Sequence, residues 1–338
     1  MKKLIPIIYI LIFPFCLNAQ TGGDNTYEFL NLTHSAFAAA TGGLTVSQGR
    51  GDLSLPYFNP ALLSSEMNNN ISLSYSRYLA GINYGYAAYA FNGDSLNNYA
   101  AGISYINYGT FTAADESGNI TGTFSAAEYA FNMIYSRRID SSFTVGINIK
   151  PVLSHLEKYF SAGVCADFGV TYNNREHLFS TGLVVRNAGF QLKSYTADGS
   201  EPLPFEIQAG VTKGLAHAPL RFTLTLRHLE KYDMTHNYGT EGETNTNSIG
   251  ENLLRHMVLG VELLPAKSFW AAAGLNYQRR AELKTTARAG SAGFSWGFGF
   301  NTKILTLAFG RDTYHLAGAA NHFSLVLYPD LILKNHRR

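Results

Sequence analysis

Few residues in this chain have types and spacing that could do chemistry. His228 and Glu230 stand close together, with His236 a little further on. An imidazole beside a carboxylate can work as a general base, and a surface hydrolase is the enzyme class such a trio would suggest. The rest of a hydrolase is missing. Gly290-Ser291-Ala292-Gly293 does not have the Gly-x-Ser-x-Gly spacing of a nucleophile elbow and reads as a loop. No His-Glu-x-x-His occurs, so a zinc protease has no support. Cys165 is left alone once Cys16 departs with a leader segment, so it cannot form an intramolecular disulfide and reads as a small packed residue. The expectation is a non-enzymatic protein with no catalytic, cofactor-binding or metal-ligating set.

A second group of residues is more informative. Glu128, Lys150, Asp167, Glu206, Arg221 and Arg227 all fall opposite large apolar neighbours in alternating runs. Arg255 and Glu262 fall in one such run with different parities, so at least one belongs near an end or in a pair. The elements that must position these charges are strands. Leu220, Phe222, Leu224 and Leu226 alternate with Arg221, Thr223, Thr225 and Arg227, and Phe294, Trp296, Phe298 and Phe300 with Gly293, Ser295, Gly297 and Gly299. Period two puts one set on each face of a strand. Here the apolar face is large and aromatic, and the other is small or polar. That is the apolar-out, polar-in pattern of a membrane barrel, with Tyr and Phe near strand ends.

Fourteen strands are expected, near 69–79, 81–92, 98–108, 123–138, 142–155, 161–174, 177–188, 203–213, 218–231, 253–264, 268–279, 293–301, 303–312 and 320–329. The fold class is therefore all-β, an antiparallel transmembrane barrel with an N-terminal hatch. The connections 109–122, 189–202, 232–252, 280–292 and 313–319 are long and follow odd-numbered strands, which puts them on one rim. Most short turns fall on the other rim, the asymmetry of outer-membrane barrels. Inside such a barrel the six charges escape the cost of about 2–4 kcal/mol for an Arg or Lys facing mid-bilayer. They would form either a polar permeation path or, the preferred reading, an ion-pair lattice holding an internal segment.

Composition agrees. Only 15% of the 338 residues are charged, against about 25% in soluble domains, while the 46% apolar fraction argues against disorder. Residues 1–19 read as a signal peptide: Lys2 and Lys3, an apolar run from Leu4 to Leu17, and Ala19 before the cut. With the two lysines gone, 24 acidic residues face an equal number of basic ones, which gives no support to a nucleic-acid partner.

Residues 20–68 precede the first strand and are too apolar for a loose tail. Ser35 to Ala40 predicts a short helix of small residues, stopped by Gly42-Gly43. This stretch is the expected hatch, residues 69–329 the barrel, and 330–338 a basic tail. Contact surfaces are expected in the long loops, at Phe190 and Tyr195 in one and at Tyr232, Asp233, Tyr238, Glu241 and Glu243 in another.

Ser35-Ala36-Phe37-Ala38-Ala39-Ala40-Thr41-Gly42-Gly43 and Tyr57-Phe58-Asn59-Pro60-Ala61-Leu62-Leu63 resemble the N-terminal region of FadL-like barrels of the PorV/PorQ group. Within them Asn59, Pro60 and Ala61 form the hatch motif. The run from Tyr78 to Gly85, and above all the run from Tyr105 to Phe124, resemble the PorQ family. The likeness spans the chain after the signal and is strongest over 29–135. Phe37 departs from it, standing where that family usually has a basic residue. The resemblance implies an outer-membrane component of the type IX secretion system. It would anchor the surface protein PorZ beside the sortase PorU and the shuttle barrel PorV, which process cargo and join it to anionic lipopolysaccharide. The barrel reading itself puts the long loops at the cell surface and both termini in the periplasm, with bound lipid or lipopolysaccharide as the non-protein group to look for. The alternative is a FadL-like transporter of a hydrophobic small molecule.

Overall fold

The computed structural model describes residues 25–48, 50–197, 199–234, 249–283, 290–315 and 318–335. The alternating runs become fourteen strands: β1 (Ile71–Arg77), β2 (Asn83–Ala90), β3 (Asn97–Ala114), β4 (Ile120–Arg138), β5 (Phe143–Leu156), β6 (Tyr159–Asn174) and β7 (Phe179–Lys193), then β8 (Glu206–Gly214), β9 (Leu220–Leu226), β10 (Met257–Ala266), β11 (Phe269–Asn276), β12 (Phe294–Asn301), β13 (Leu305–His315) and β14 (Gly318–Leu327). Each pairs antiparallel with its neighbours in sequence. β14 pairs with β1, so the sheet is a closed barrel with no free lateral edge at its waist.

Large apolar side chains cover the outside. Phe168, Phe300, Leu307 and Phe323 are each about half exposed, while the chain neighbours Asp167, Gly299, His322 and Ser324 point inward and are buried or built around. No helix among the described residues is long and apolar enough to cross a membrane; the strands supply the apolar belt. The described parts of connections 194–205, 227–256 and 277–293 gather at one rim, the loop rim. Short turns gather at the other, where Asp94 and Asp140 accept amide hydrogens of Leu96 and Asn97, and of Ser142 and Phe143. The Asn97 side-chain amide, which also donates to Asp94 at 2.9 Å, and these backbone bonds favour the charged carboxylates and hold both below the usual pKa range.

Several boundaries differ from the sequence reading. The expected loop 109–122 is largely strand: β3 and β4 continue to Ala114 and from Ile120, closed by a turn capped by Asp115. Thr110-Phe111-Thr112 alternates weakly and finds its partners only across the hairpin. The expected loop 313–319 is also mostly strand, since β13 and β14 pair up to His315 and Gly318. At strands ten and eleven the opposite happens. Residues 253–255 and 277–279 belong to short helices, α2 (Ile249–Arg255) and α3 (Tyr277–Leu283), so Arg255 is helical and only Glu262 is in the wall. The last helix, α4 (Pro329–Asn335), follows β14 at the short-turn rim, where Asn69 Nδ2 donates to Asp330 Oδ2 at 2.9 Å. The N-terminus itself lies outside the described residues. Among the first described residues, Thr26 donates its amide hydrogen to Pro202 O at the loop rim. Residues 1–24, including the signal peptide, and the tail from residue 336 lie outside the described residues.

Candidate functional site

The lumen is filled by the segment from Asn25 to Asn70, which descends from the loop rim to the short-turn rim. At the top, Tyr27 Oη and Ser161 Oγ of β6 lie 2.5 Å apart, and Phe29 and Leu30 are buried with Leu203. Below them, Leu30 O accepts from Tyr57 Oη at 2.8 Å and from Arg186 Nη2 at 3.0 Å. The Arg186 guanidinium lies over the rings of Tyr57 and Phe58.

The small-residue helix forms where the sequence predicts it, as α1 (Ala36–Ala40), capped by Ser35. Its ends are satisfied by the wall. The amide of Ala36 donates to Ser324 Oγ at 2.9 Å, and Ser295 Oγ donates to Ala40 O at 3.1 Å. A five-residue helix cannot satisfy its own termini, so barrel serines do so. Gly42 and Gly43 then take φ near +100°, which lets Gly43 N reach back to Ala38 O at 2.8 Å.

What lets the hatch approach so closely is a set of glycines facing each other across strand pairs. Gly146 is in register with Gly169, Gly182 with Gly210, Gly260 with Gly274 and Gly297 with Gly310. A Cβ at Gly146 would meet the backbone of Pro60 and Ala61. At Gly182 it would meet Val46, at Gly274 Thr41 and Gly42, and at Gly310 Ala36. Hatch backbone therefore packs directly on wall backbone around much of the circumference. The hatch motif explains itself here. Asn59 Oδ1 accepts from Ala61 N, and its Nδ2 donates to Val46 O, joining two passes of the hatch. Pro60 opens the turn, and Ala61 leaves room for the wall at Gly146.

All six charges expected in the lumen lie on inward positions. Lys150 Nζ and Asp167 Oδ1, both fully buried, are 2.6 Å apart, and Asn187 lies within hydrogen-bond range of each. Glu206 pairs with Arg227 at 3.1 Å. Arg221 pairs with Glu262 at 2.9 Å, and Glu262 also meets Arg50 and Gln48 of the hatch. Glu128 accepts from Tyr108 Oη at 2.5 Å. These contacts run from wall to wall and from wall to hatch. Arg186, Arg279 and Asp312 belong to the same lattice and were missed in the sequence. Arg186 follows Leu183-Val184-Val185, where both parities are apolar, and the Arg279–Asp312 pair at 2.6 Å joins α3 to β13. Asp312 had a usable signal, being opposite Phe309 and Arg311 in parity.

His34 sits at the centre of the hatch, fully buried and edge-on to Tyr57 and Tyr84. Burial, reinforced by the charge of Arg186, lowers its pKa to about 3, so it is neutral. Near the short-turn rim, Arg50 is stacked on Phe37 and Trp270 and borders a cleft of about 210 Å³ that also touches Asp52 and Tyr328. Phe37 thus supplies a ring for a hatch arginine at the position where the resembled family usually has a basic residue.

The expected partner loops are only partly as read. Phe190 lies on β7, which runs on past a bulge near Asn187, and it faces outward. Tyr195 is turned inward, with its hydroxyl on Ser154 at 2.5 Å and its ring against Tyr27. Phe190 is thus on a strand rather than in a loop, and Tyr195 is part of the barrel interior. Tyr232 is 79% exposed and Asp233 is exposed, while Tyr238, Glu241 and Glu243 lie outside the described residues, as does His236. His228 and Glu230 are close, Nδ1 to Oε1 at 3.0 Å, but Glu230 also accepts from Ile207 N and Glu206 from His228 N, which ties both to the barrel wall. Among the described residues, no group of His, Cys, Asp and Glu could hold a metal ion.

Comparison with known proteins gives the architecture a counterpart. The chain is similar in fold to the toluene transporter TodX of Pseudomonas putida. The TM-score is 0.53 at 11% identity, over 87% of this chain and 96% of that one. A TodX monoaromatic hydrocarbon channel variant, deltaS2, matches with a TM-score of 0.50 at 12% identity, over 88% of this chain and 97% of that one. At such identity the likeness is one of fold. No family model matches the sequence, and no curated protein does.

Proposed function

We propose that this chain is an outer-membrane barrel of FadL-like architecture that serves the passage of a hydrophobic small molecule, with its loop rim at the cell surface. The fold shared with a toluene transporter, over 87% of this chain, is the observation that carries this reading. The loop-rim orientation follows the rule that outer-membrane barrels keep short turns in the periplasm.

A second reading is favoured by the packing of the hatch. Backbone-to-backbone seating on paired glycines and ion pairs spanning hatch and wall describe a filled lumen. A filled barrel suits a scaffold. With the resemblance over residues 29–135, this supports a PorQ-like role in the type IX secretion system, anchoring PorZ with PorU and PorV on the cell surface without itself being the enzyme.

One experiment separates the two. The tagged protein is purified from native outer membranes in mild detergent, and both proteins and small molecules in the preparation are identified by mass spectrometry. A lone barrel carrying a hydrophobic small molecule supports transport and removes anchoring. Recovery of PorZ, PorU and PorV in defined ratios does the reverse.

A further inference from the structure

The strand pairing that closes the barrel aligns its outer wall in register rows. Arg77 of β1, Asn321 of β14 and Arg311 of β13 form one row. The next row toward the short-turn rim is Tyr75, Phe323 and Phe309, followed by Leu73, Leu325 and Leu307, with Phe298 and Phe300 of β12 flanking them. All share the outward parity of their strands. The two apolar rows line a groove of about 500 Å³, floored by Ser74, Ala308 and Ser324, where small residues leave the wall thin. The polar row caps this groove at its loop-rim end.

The cap is unusual in its charges. Arg77 and Arg311 are both exposed. Neither is in an ion pair among the described residues, and Arg311 Nη1 donates only to Asn321 Oδ1, at 3.0 Å. The strands that carry them are two steps apart, about 10 Å at the usual interstrand spacing. Two guanidinium groups at that spacing can close on one phosphate from both sides, with bidentate geometry at each. The lumen arginines Arg221, Arg227 and Arg279, by contrast, are already paired with carboxylates.

We propose that this seam binds lipopolysaccharide, taking a lipid A phosphate on Arg77 and Arg311 and an acyl chain in the groove beneath. The phosphate and the chain follow from charge complementarity and from the unbroken run of apolar side chains below the cap. The choice of lipopolysaccharide over phospholipid rests on the loop rim facing the cell surface, as proposed above.

The test is native mass spectrometry of the purified full barrel with added diphosphoryl lipid A, dephosphorylated lipid A or phosphatidylglycerol. Wild-type protein should retain diphosphoryl lipid A about tenfold better than the Arg77→Gln/Arg311→Gln variant, the loss expected for one charged hydrogen-bonded contact. It should also retain it better than the dephosphorylated form, a comparison that needs no variant. Leu307→Ala should weaken retention with the arginines intact. Arg137→Gln/Arg138→Gln, at the other rim, should not. Heat-modifiable gel mobility verifies that each variant is folded. Equal retention of the two lipid A forms, or equal loss in both arginine double variants, overturns the site. Equal retention of phosphatidylglycerol and diphosphoryl lipid A overturns the choice of lipopolysaccharide. The assay uses the barrel without partner or transported solute, so its failure leaves the transport and anchoring readings untouched.

Discussion

The lumen and the seam put the same residue types to opposite use. Inside, Lys150, Arg186, Arg227 and Arg279 are buried, or nearly so, and each meets a carboxylate or a carbonyl. Outside, Arg77 and Arg311 stand exposed without an anionic partner among the described residues. A charge that has left water must be neutralised within the protein, whereas a charge at the end of an apolar belt keeps water or a headgroup. The internal charges therefore hold the fold together and the seam charges are free to bind. The glycines make the same contrast. Those facing inward admit hatch backbone, while the outer rows keep large side chains.

The sharpest way to break this contrast is inside. Lys150→Ala would leave Asp167 buried without its ammonium partner and should cost about 3–5 kcal/mol in urea unfolding from bilayers. Replacing both, as Lys150→Met/Asp167→Asn, should cost less than the single change, and a larger loss would count against a simple pair.

Filling a glycine is next. Gly274→Val would push a side chain into the backbone of Thr41 and Gly42 and should cost about 1–3 kcal/mol. The hatch should also become cleavable by added protease while the barrel stays intact. Continued protection would mean the wall yields instead.

A pH titration gives a smaller effect with a definite sign. Burial holds the pKa of His34 at about 3 in the folded protein, against about 6.5 for a free imidazole. Between those values the unfolded chain holds more protons, so this contribution to stability is present above pH 6.5 and is lost as pH falls toward 3. The drop in melting temperature from pH 7 to pH 4 should be smaller in His34→Phe than in wild type.

The seam gives the smallest change in stability. Arg77→Ala should alter it by less than about 0.5 kcal/mol, however strongly it affects lipid retention. A loss as large as that of Lys150→Ala would place Arg77 in the structural lattice and erase the contrast.

Much of this was legible in order along the chain. Period-two alternation was enough for fourteen strands and for the inward side of six charges, because facing is a local property of a strand. Ser35 to Gly43 announced a helix and its stop. Less legible were segments whose local signal was mixed. The Thr- and Ala-rich stretch 109–122 became strand because its partner lay across a turn. The ends of strands ten and eleven became helices, where apolar alternation gave way to charged residues. Phe190 and Tyr195 were read as loop residues because nothing local marks a strand that continues past a bulge.

Sequence alone determined the class, the strand count, the rim asymmetry and the existence of a hatch, since these depend on spacing between neighbours in the chain. Tertiary structure decided which glycine faces which, that Ser295 and Ser324 cap a hatch helix, that the hatch runs down from the loop rim, and that Arg77 and Arg311 share a row. Those facts depend on register between distant strands and on the closing of β14 onto β1. Register is set by the fit of the whole closed sheet, and no local pattern in the chain contains it.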